Sequence, residues 1–282
     1  MTGVAEETEQ LLAGTLSPSR AADFKTCPLL YRFRSVDKIP QRPTADKARG
    51  TLVHAVLDRL FDLPAAERTY ERAAALVEPE WARLAEAEPE TTQLFADGGL
   101  AEWLDSVRRM VAGYFALEDP SRLEPAAREQ LVEAVLDLDG PAPLALRGYV
   151  DRLDVAPTGE VRVVDYKTGA IPRVAYEAKA LFQLKFYALV LWRTTGTVPH
   201  QLKLMYLSDR DTLAYRPDAA ELERFERTLV AVWRAIERAV TTRDFRANPG
   251  RLCGWCDYQA LCPSHGGTLP PYPDPAGPAE QA

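Results

Sequence analysis

Residues 144–167 read LALRGYVDRLDVAPTGEVRVVDYK, two Val- and Leu-rich runs divided by a Pro-Thr-Gly turn. This hairpin constrains the fold more than any other stretch of the chain. If it closes symmetrically about Thr158, Asp151 and Asp165 stand opposite each other, each seven residues from the centre of the turn. Cross-strand partners have Cβ atoms about 5 Å apart. Residues two apart in a strand share a face, so Lys167 lies beside Asp165. Two carboxylates at that range repel and raise each other's pKa unless a cation is shared between them. A hard divalent ion with oxygen ligands meets that need, with Lys167 nearby as a point charge or proton-transfer group. The alternative is a plain surface ion pair between Lys167 and Asp165, which is common and contributes little.

Around the hairpin the hydrophobic period changes. From Ala48 to about Leu117 it is helical: Val53, Val56, Leu57, Leu60 and Phe61 form one stripe, and similar spacing recurs around Trp81 and from Leu100 to Phe115. Before this block, Ser17 followed by Pro18 reads as an N-cap and first helical residue, with Cys27-Pro28 near that helix's end. After the hairpin come a helix from about Tyr176 to Thr194, strands QLKLMYL and DTLAYRP, a helix from about Asp218 to Thr241, and the segment RLCGWCDYQALCPSHG. This order predicts an α/β fold, one domain over 15–265 with a helical insertion at about 62–120. Residues 1–14 and the Pro-rich tail 266–282 read as disordered.

Composition excludes some classes. With 46% apolar and 27% charged residues, the 282-residue chain can bury a sizeable core. No apolar run approaches the roughly 18 residues of a membrane span. The N-terminus MTGVAEETEQ is acidic where a secretory signal is basic and then apolar, so a cytoplasmic location is expected. A net charge of −7 argues against nonspecific nucleic-acid binding. Yet Arg20 to Arg49 carries eight basic residues against three acidic, and Glu67 to Glu90 carries seven Glu against three Arg. The two stretches are either solvated faces or a local polyanion site on an acidic protein. No Gly is followed by Lys, so there is no phosphate-cradling loop of an ATP-driven motor, and any helicase must be a separate chain.

RGYVDRLDV followed by VRVVDYKTG resembles motifs II and III of the PD-(D/E)xK nuclease superfamily, in its RecB-type exonuclease branch. RGTLVHAVLD is similar to the G-x-x-x-H helix of that branch, with His54, and FQLKFYALVL to its Q-x-x-x-Y helix, with Gln183 and Tyr187. The matches keep their order from about Leu16 to Pro263. The resemblance implies a restriction-endonuclease-like mixed central sheet flanked by helices. It implies that Asp151 and Asp165 hold Mg²⁺ or Mn²⁺ with His54 and the Tyr166 backbone carbonyl, and that Lys167 orients or activates the attacking water. Gln183 and Tyr187 would meet the nucleic-acid backbone near the scissile phosphate. Val150 stands where the family's name implies Pro, which this branch often lacks. Without the resemblance, His54 reads as a boundary histidine, and Gln183, Tyr187 and Lys179 as an ordinary polar helix face. Glu133 could add a carboxylate near the site, but its position reads as solvated strand.

The four cysteines are Cys27 and the group Cys253, Cys256 and Cys262. Three thiols within ten residues of a chain expected to be cytosolic point to a metal rather than to disulfides. Zinc and iron–sulfur ligation are both open on these grounds, although zinc sites usually pair two C-x-x-C knuckles. The arrangement resembles the 4Fe-4S staple of AddB-type and CRISPR-associated nucleases, which joins the N- and C-terminal segments. The implied activity is a Mg²⁺- or Mn²⁺-dependent deoxyribonuclease, an exonuclease on single-stranded or end-exposed DNA in recombination and repair. The alternatives are a nuclease-like DNA-binding or scaffold subunit beside a helicase, or a CRISPR adaptation nuclease.

Overall fold

The computed structural model describes residues 15–138, 143–171 and 177–273. In chain order the helices are α1 (Pro18–Thr26), α2 (Pro28–Tyr31), α3 (Ala45–Leu60), α4 (Tyr70–Ala75), α5 (Val77–Ala87), α6 (Leu100–Leu117), α7 (Glu177–Thr195) and α8 (Ala219–Thr242). The strands are β1 (Ala127–Leu136), β2 (Leu144–Val155), β3 (Val161–Lys167), β4 (Gln201–Tyr206) and β5 (Asp211–Tyr215), and they form one sheet in that order. The described residues group into two compact units. One takes the described residues before Pro43, those of Glu133–Gly148 and those over 220–273; the other takes Pro43–Val132 and the described residues of Tyr149–Ala219.

The second unit carries the hairpin. β2 and β3 pair antiparallel, with Arg152 opposite Val164 and Val155 opposite Val161. Carried one residue further, this register sets Asp151 opposite Asp165, as the symmetric turn about Thr158 predicts. β3 then pairs parallel with β4, and β4 antiparallel with β5, so the sheet is mixed. A parallel neighbour needs a crossover, and α7 supplies it. Val163 and Val164 of β3 and Leu202 and Leu204 of β4 are fully buried, as expected for strands covered on both faces.

Between α3 and β1 the chain is helical. Thr44 caps α3 by accepting a hydrogen bond from the Lys47 amide at 3.2 Å. The stripe Leu52, Val53, Val56, Leu57 and Leu60 is buried in one cluster with Val107, Val111 and Tyr114 of α6 and with Val164 and Met205 of the sheet. Trp81, Phe95 and Trp103 interlock in the same region, with ring centroids 4.8 to 5.5 Å apart. α3, which bears His54, is thus fixed from both sides.

In the first unit Ser17 accepts from the Arg20 amide and Pro18 opens α1, as the sequence predicts. Leu16 bridges to the start of β2, donating to the Ala145 carbonyl at 2.8 Å and accepting from the Arg147 amide at 3.0 Å. Tyr31 stacks on Phe245, and Phe33 packs against Tyr258. The described residues run past Gly266 to 273. Arg32 donates to the Pro270 carbonyl at 2.6 Å, and the Tyr272 ring stacks on Phe245 beneath the guanidinium groups of Arg32 and Arg243. Residues 1–14 and 274–282 lie outside the described residues. Part of the N-terminal basic surplus is paired within the protein: Arg32 is buried against Asp37, and the exposed Arg34 pairs with Asp23 at 2.7 Å. Among the described residues no helix is long and apolar enough to cross a membrane.

Candidate active site

Asp151, Asp165, Tyr166 and Lys167 come together where β2 meets the end of β3, and His54 reaches them from α3. The Asp151 carboxylate accepts the Tyr166 amide at 2.7 Å, continuing the hairpin ladder through a side chain. The Tyr166 carbonyl accepts from His54 Nε2 at 3.0 Å. His54 Nδ1 lies 3.5 Å from Asp151 Oδ2 and 3.8 Å from Glu129 Oε1. The ligand atoms of His54, Glu129 and Asp151 all lie within 4.8 Å of one another, a grouping that could hold a metal ion.

Asp165 is 1% exposed, and neither of its oxygens makes a hydrogen bond of good geometry. Its Oδ2 lies against the Lys167 ammonium at 2.6 Å. Lys167 also donates to Gln183 Oε1 at 2.9 Å, and Gln183 Nε2 donates to the Tyr187 hydroxyl at 2.9 Å. Gln183 and Tyr187 therefore sit one helical turn apart on α7, in a chain that ends on the lysine. Lys179, placed one turn earlier by sequence, lies outside the described side chains.

The carboxylates, the imidazole and the lysine shift one another's protonation. Burial, and after it the Asp165 charge, pushes the Asp151 carboxyl up to about 7. Burial works against the His54 cation, but the hydrogen bond to Glu129 and the charges of Asp151 and Asp165 prevail and push it up to about 9. Burial likewise opposes the Lys167 cation, and the adjacent Asp165 outweighs it, so Lys167 stays protonated well above neutrality. These donors suit Mg²⁺ or Mn²⁺: a buried carboxylate set against Lys167, further carboxylate oxygens, a backbone carbonyl and one imidazole.

Glu129 is the residue that sequence reasoning missed. Glu133, considered in its place, is 57% exposed at its side chain and pairs with Arg147 at 3.4 Å. Glu129 has φ 42°, in the left-handed region that costs a non-glycine residue roughly 1–2 kcal/mol. Such strain breaks strand alternation and re-aims a side chain, and it concentrates at functional sites. Glu129 also borders an open cleft with Gly50, Thr51, His54 and Asp58. A methyl at Gly50 would meet the Thr168 hydroxyl at an ordinary 3.5 Å, so no protein atom requires glycine there.

In the first unit all four cysteines line one cavity of about 240 Å³, together with Leu29, Phe33 and Asn248. The Asn248 amide donates to Cys27 Sγ and the Gly250 amide to Cys253 Sγ, each at 3.3 Å. Asn248 also donates from its side chain to the Thr26 carbonyl at 2.9 Å, so the C-terminal segment is hydrogen-bonded to the end of α1.

A mixed sheet that gathers two aspartates and a lysine at the end of its central parallel pair, with a histidine from a packed helix, is the architecture of a metal-dependent nuclease fold. The chain belongs to the PD-(D/E)XK nuclease superfamily, whose family model matches residues 15–263. It is similar to the Gene 69 protein of Mycobacterium phage D29, 26% identical over 267 residues that cover 88% of this chain and 96% of the relative. The Gene 69 protein of Mycobacterium phage L5 is 25% identical over 287 aligned positions, covering 88% of this chain and 95% of that one. Among solved structures, a candidate exonuclease from Eubacterium rectale shares the fold with a TM-score of 0.51 at 12% identity, covering 86% of this chain and 87% of that chain.

Proposed function

We propose that the protein is a metal-dependent deoxyribonuclease, acting as an exonuclease on single-stranded or end-exposed DNA in recombination and repair. The observation that carries this reading is Asp165, a buried carboxylate with no hydrogen bond of good geometry, set beside Lys167 and next to the His54, Glu129 and Asp151 group. Asp151, Asp165, His54 and the Tyr166 carbonyl would hold Mg²⁺ or Mn²⁺, with Glu129 as a further ligand. A bound ion of this kind lowers the pKa of water and polarises a phosphoryl oxygen. His54 must surrender a proton to become a ligand, so ion uptake releases protons. Lys167, held by Gln183 and Asp165, offers its ammonium to the attacking water and to the charge that gathers on phosphorus. The Tyr187 hydroxyl accepts from Gln183, which leaves its own proton to donate to a phosphate oxygen.

The four cysteines are read as ligands of a 4Fe-4S cluster. What supports this reading is that all four line one cavity and that backbone amides donate to Cys27 and Cys253. The cluster would hold the two chain ends of its unit together.

The test is incubation of anaerobically purified protein with end-labelled single- and double-stranded DNA, with Mg²⁺ or Mn²⁺ and then with EDTA. Cleavage that needs a metal and starts from ends is expected; no cleavage with either metal overturns the reading. Iron and sulfide analysis of the same preparation tests the cluster, and zinc in their place contradicts it.

A further inference from the structure

We infer that Arg152 is a positioning residue for the metal centre, acting through the side chain of Tyr166. The inference rests on the nuclease reading above.

Adjacent residues in a strand face opposite ways, so Arg152 lies behind Asp151 and the Tyr166 ring lies behind the Asp165 and Lys167 side chains. Arg152 is fully buried. Its Nη1 donates to the Tyr166 hydroxyl at 3.0 Å and to Glu118 Oε1 at 2.6 Å, and its Nη2 donates to Glu118 Oε2 and to Asp154 Oδ2, each at 3.1 Å. Glu118 follows directly on α6. The guanidinium also faces the Tyr166 and Phe61 rings, at 5.8 and 5.6 Å from their centroids. Phe61 ends α3, the helix that presents His54. One side chain therefore joins both strands of the hairpin, α3 and α6.

Tyr166 is thereby held at both ends. On the site side its amide binds Asp151 and its carbonyl faces His54; on the far side its hydroxyl is fixed by Arg152. A shift of the ring would move the carbonyl and the partner of the Asp151 carboxylate together. Stability alone explains the arrangement poorly, because well-packed apolar residues often replace a buried ionic group at no cost. Groups that orient metal ligands from behind typically contribute 10- to 100-fold in metal affinity or activity.

Truncating Arg152 leaves Glu118 and Asp154 buried without it, so Arg152→Met risks unfolding. Tyr166→Phe removes only the hydroxyl and keeps the packing. Mn²⁺ binding by calorimetry and cleavage kinetics at saturating Mn²⁺ are measured for wild type and for Tyr166→Phe, with melting temperature as the control. We expect Tyr166→Phe to melt within a few degrees of wild type, to bind Mn²⁺ about tenfold more weakly and to lose kcat, with KM for DNA unchanged. Wild-type Mn²⁺ affinity and kcat in Tyr166→Phe overturn this inference alone. A wild-type chain that binds no Mn²⁺ overturns the nuclease reading and the inference with it.

Discussion

Lys167 Nζ lies 2.6 Å from Asp165 Oδ2, at the end of a strand whose preceding residues are buried in the sheet. Its second partner is Gln183 Oε1 at 2.9 Å, from the crossover helix that makes β3 and β4 parallel neighbours. The lysine is thus shared between the sheet that carries the carboxylates and the helix that crosses it. Its aim depends on both.

Removing the helix partner should misdirect the ammonium without touching the metal ligands. Gln183→Leu is expected to lower kcat about tenfold, the low end for loss of an orienting contact, and to leave Mn²⁺ affinity unchanged. Steady-state kinetics beside a Mn²⁺ titration separates the two effects, and an unchanged kcat contradicts the role assigned to Gln183.

Glu129 should trade stability for metal. Glycine accepts a φ of 42° without the penalty a side chain incurs. Glu129→Gly is expected to hold or raise the melting temperature while weakening Mn²⁺ binding about tenfold. A variant that melts lower and binds Mn²⁺ as wild type would mean that the strain serves the fold and not the site.

These two residues also mark what a linear reading reaches. The hairpin register was legible because a symmetric turn fixes which residues face each other, and strand period puts Asp165 and Lys167 on one face. The G-x-x-x-H and Q-x-x-x-Y spacings located His54, Gln183 and Tyr187. Glu129 was not legible, because its aim comes from a backbone conformation that ordinary strand alternation does not contain. The contact of the Gln183 carbonyl with Lys167 was not legible either, because it is set by how α7 lies on β3. In sequence Arg152 is one charged residue among the three of DRLD. Only the surrounding Glu118, Asp154 and aromatic rings make a fully buried guanidinium tolerable.

That buried network sets an acid limit. Burial alone would raise the Glu118 carboxyl, but the hydrogen bond and charge of Arg152, with Lys203 and Arg162, outweigh it and hold it below its ordinary 4.5. A carboxylate whose folded pKa is depressed stabilises the fold above its unfolded pKa, and that contribution is lost as pH falls through the folded value. Glu118→Gln should cost about 3–5 kcal/mol near pH 7, as for one partner removed from a buried pair. The difference from wild type should shrink as pH drops below 4.5. Urea unfolding at several pH values checks both, and a pH-independent difference contradicts the linkage.

Helix α6 depends on Gly113. Alanine at an exposed helical glycine normally gains up to about 1 kcal/mol. A methyl at Gly113 would overlap the Leu207 carbonyl, a backbone atom that follows β4 and cannot swing aside. Gly113→Ala is therefore expected to destabilise the protein by about 1–3 kcal/mol. Thermal unfolding with a raised melting point would contradict this close approach of helix to sheet.

The central claim is that Asp165 serves a metal and not merely an ion pair. Its most direct test is Mn²⁺-dependent release of label from end-labelled DNA by wild type and Asp165→Asn, at equal concentration and with folding checked by circular dichroism. The account predicts EDTA-sensitive release by wild type and loss of release, by a thousandfold or more, in a folded Asp165→Asn. A folded Asp165→Asn that releases label at the wild-type rate contradicts it.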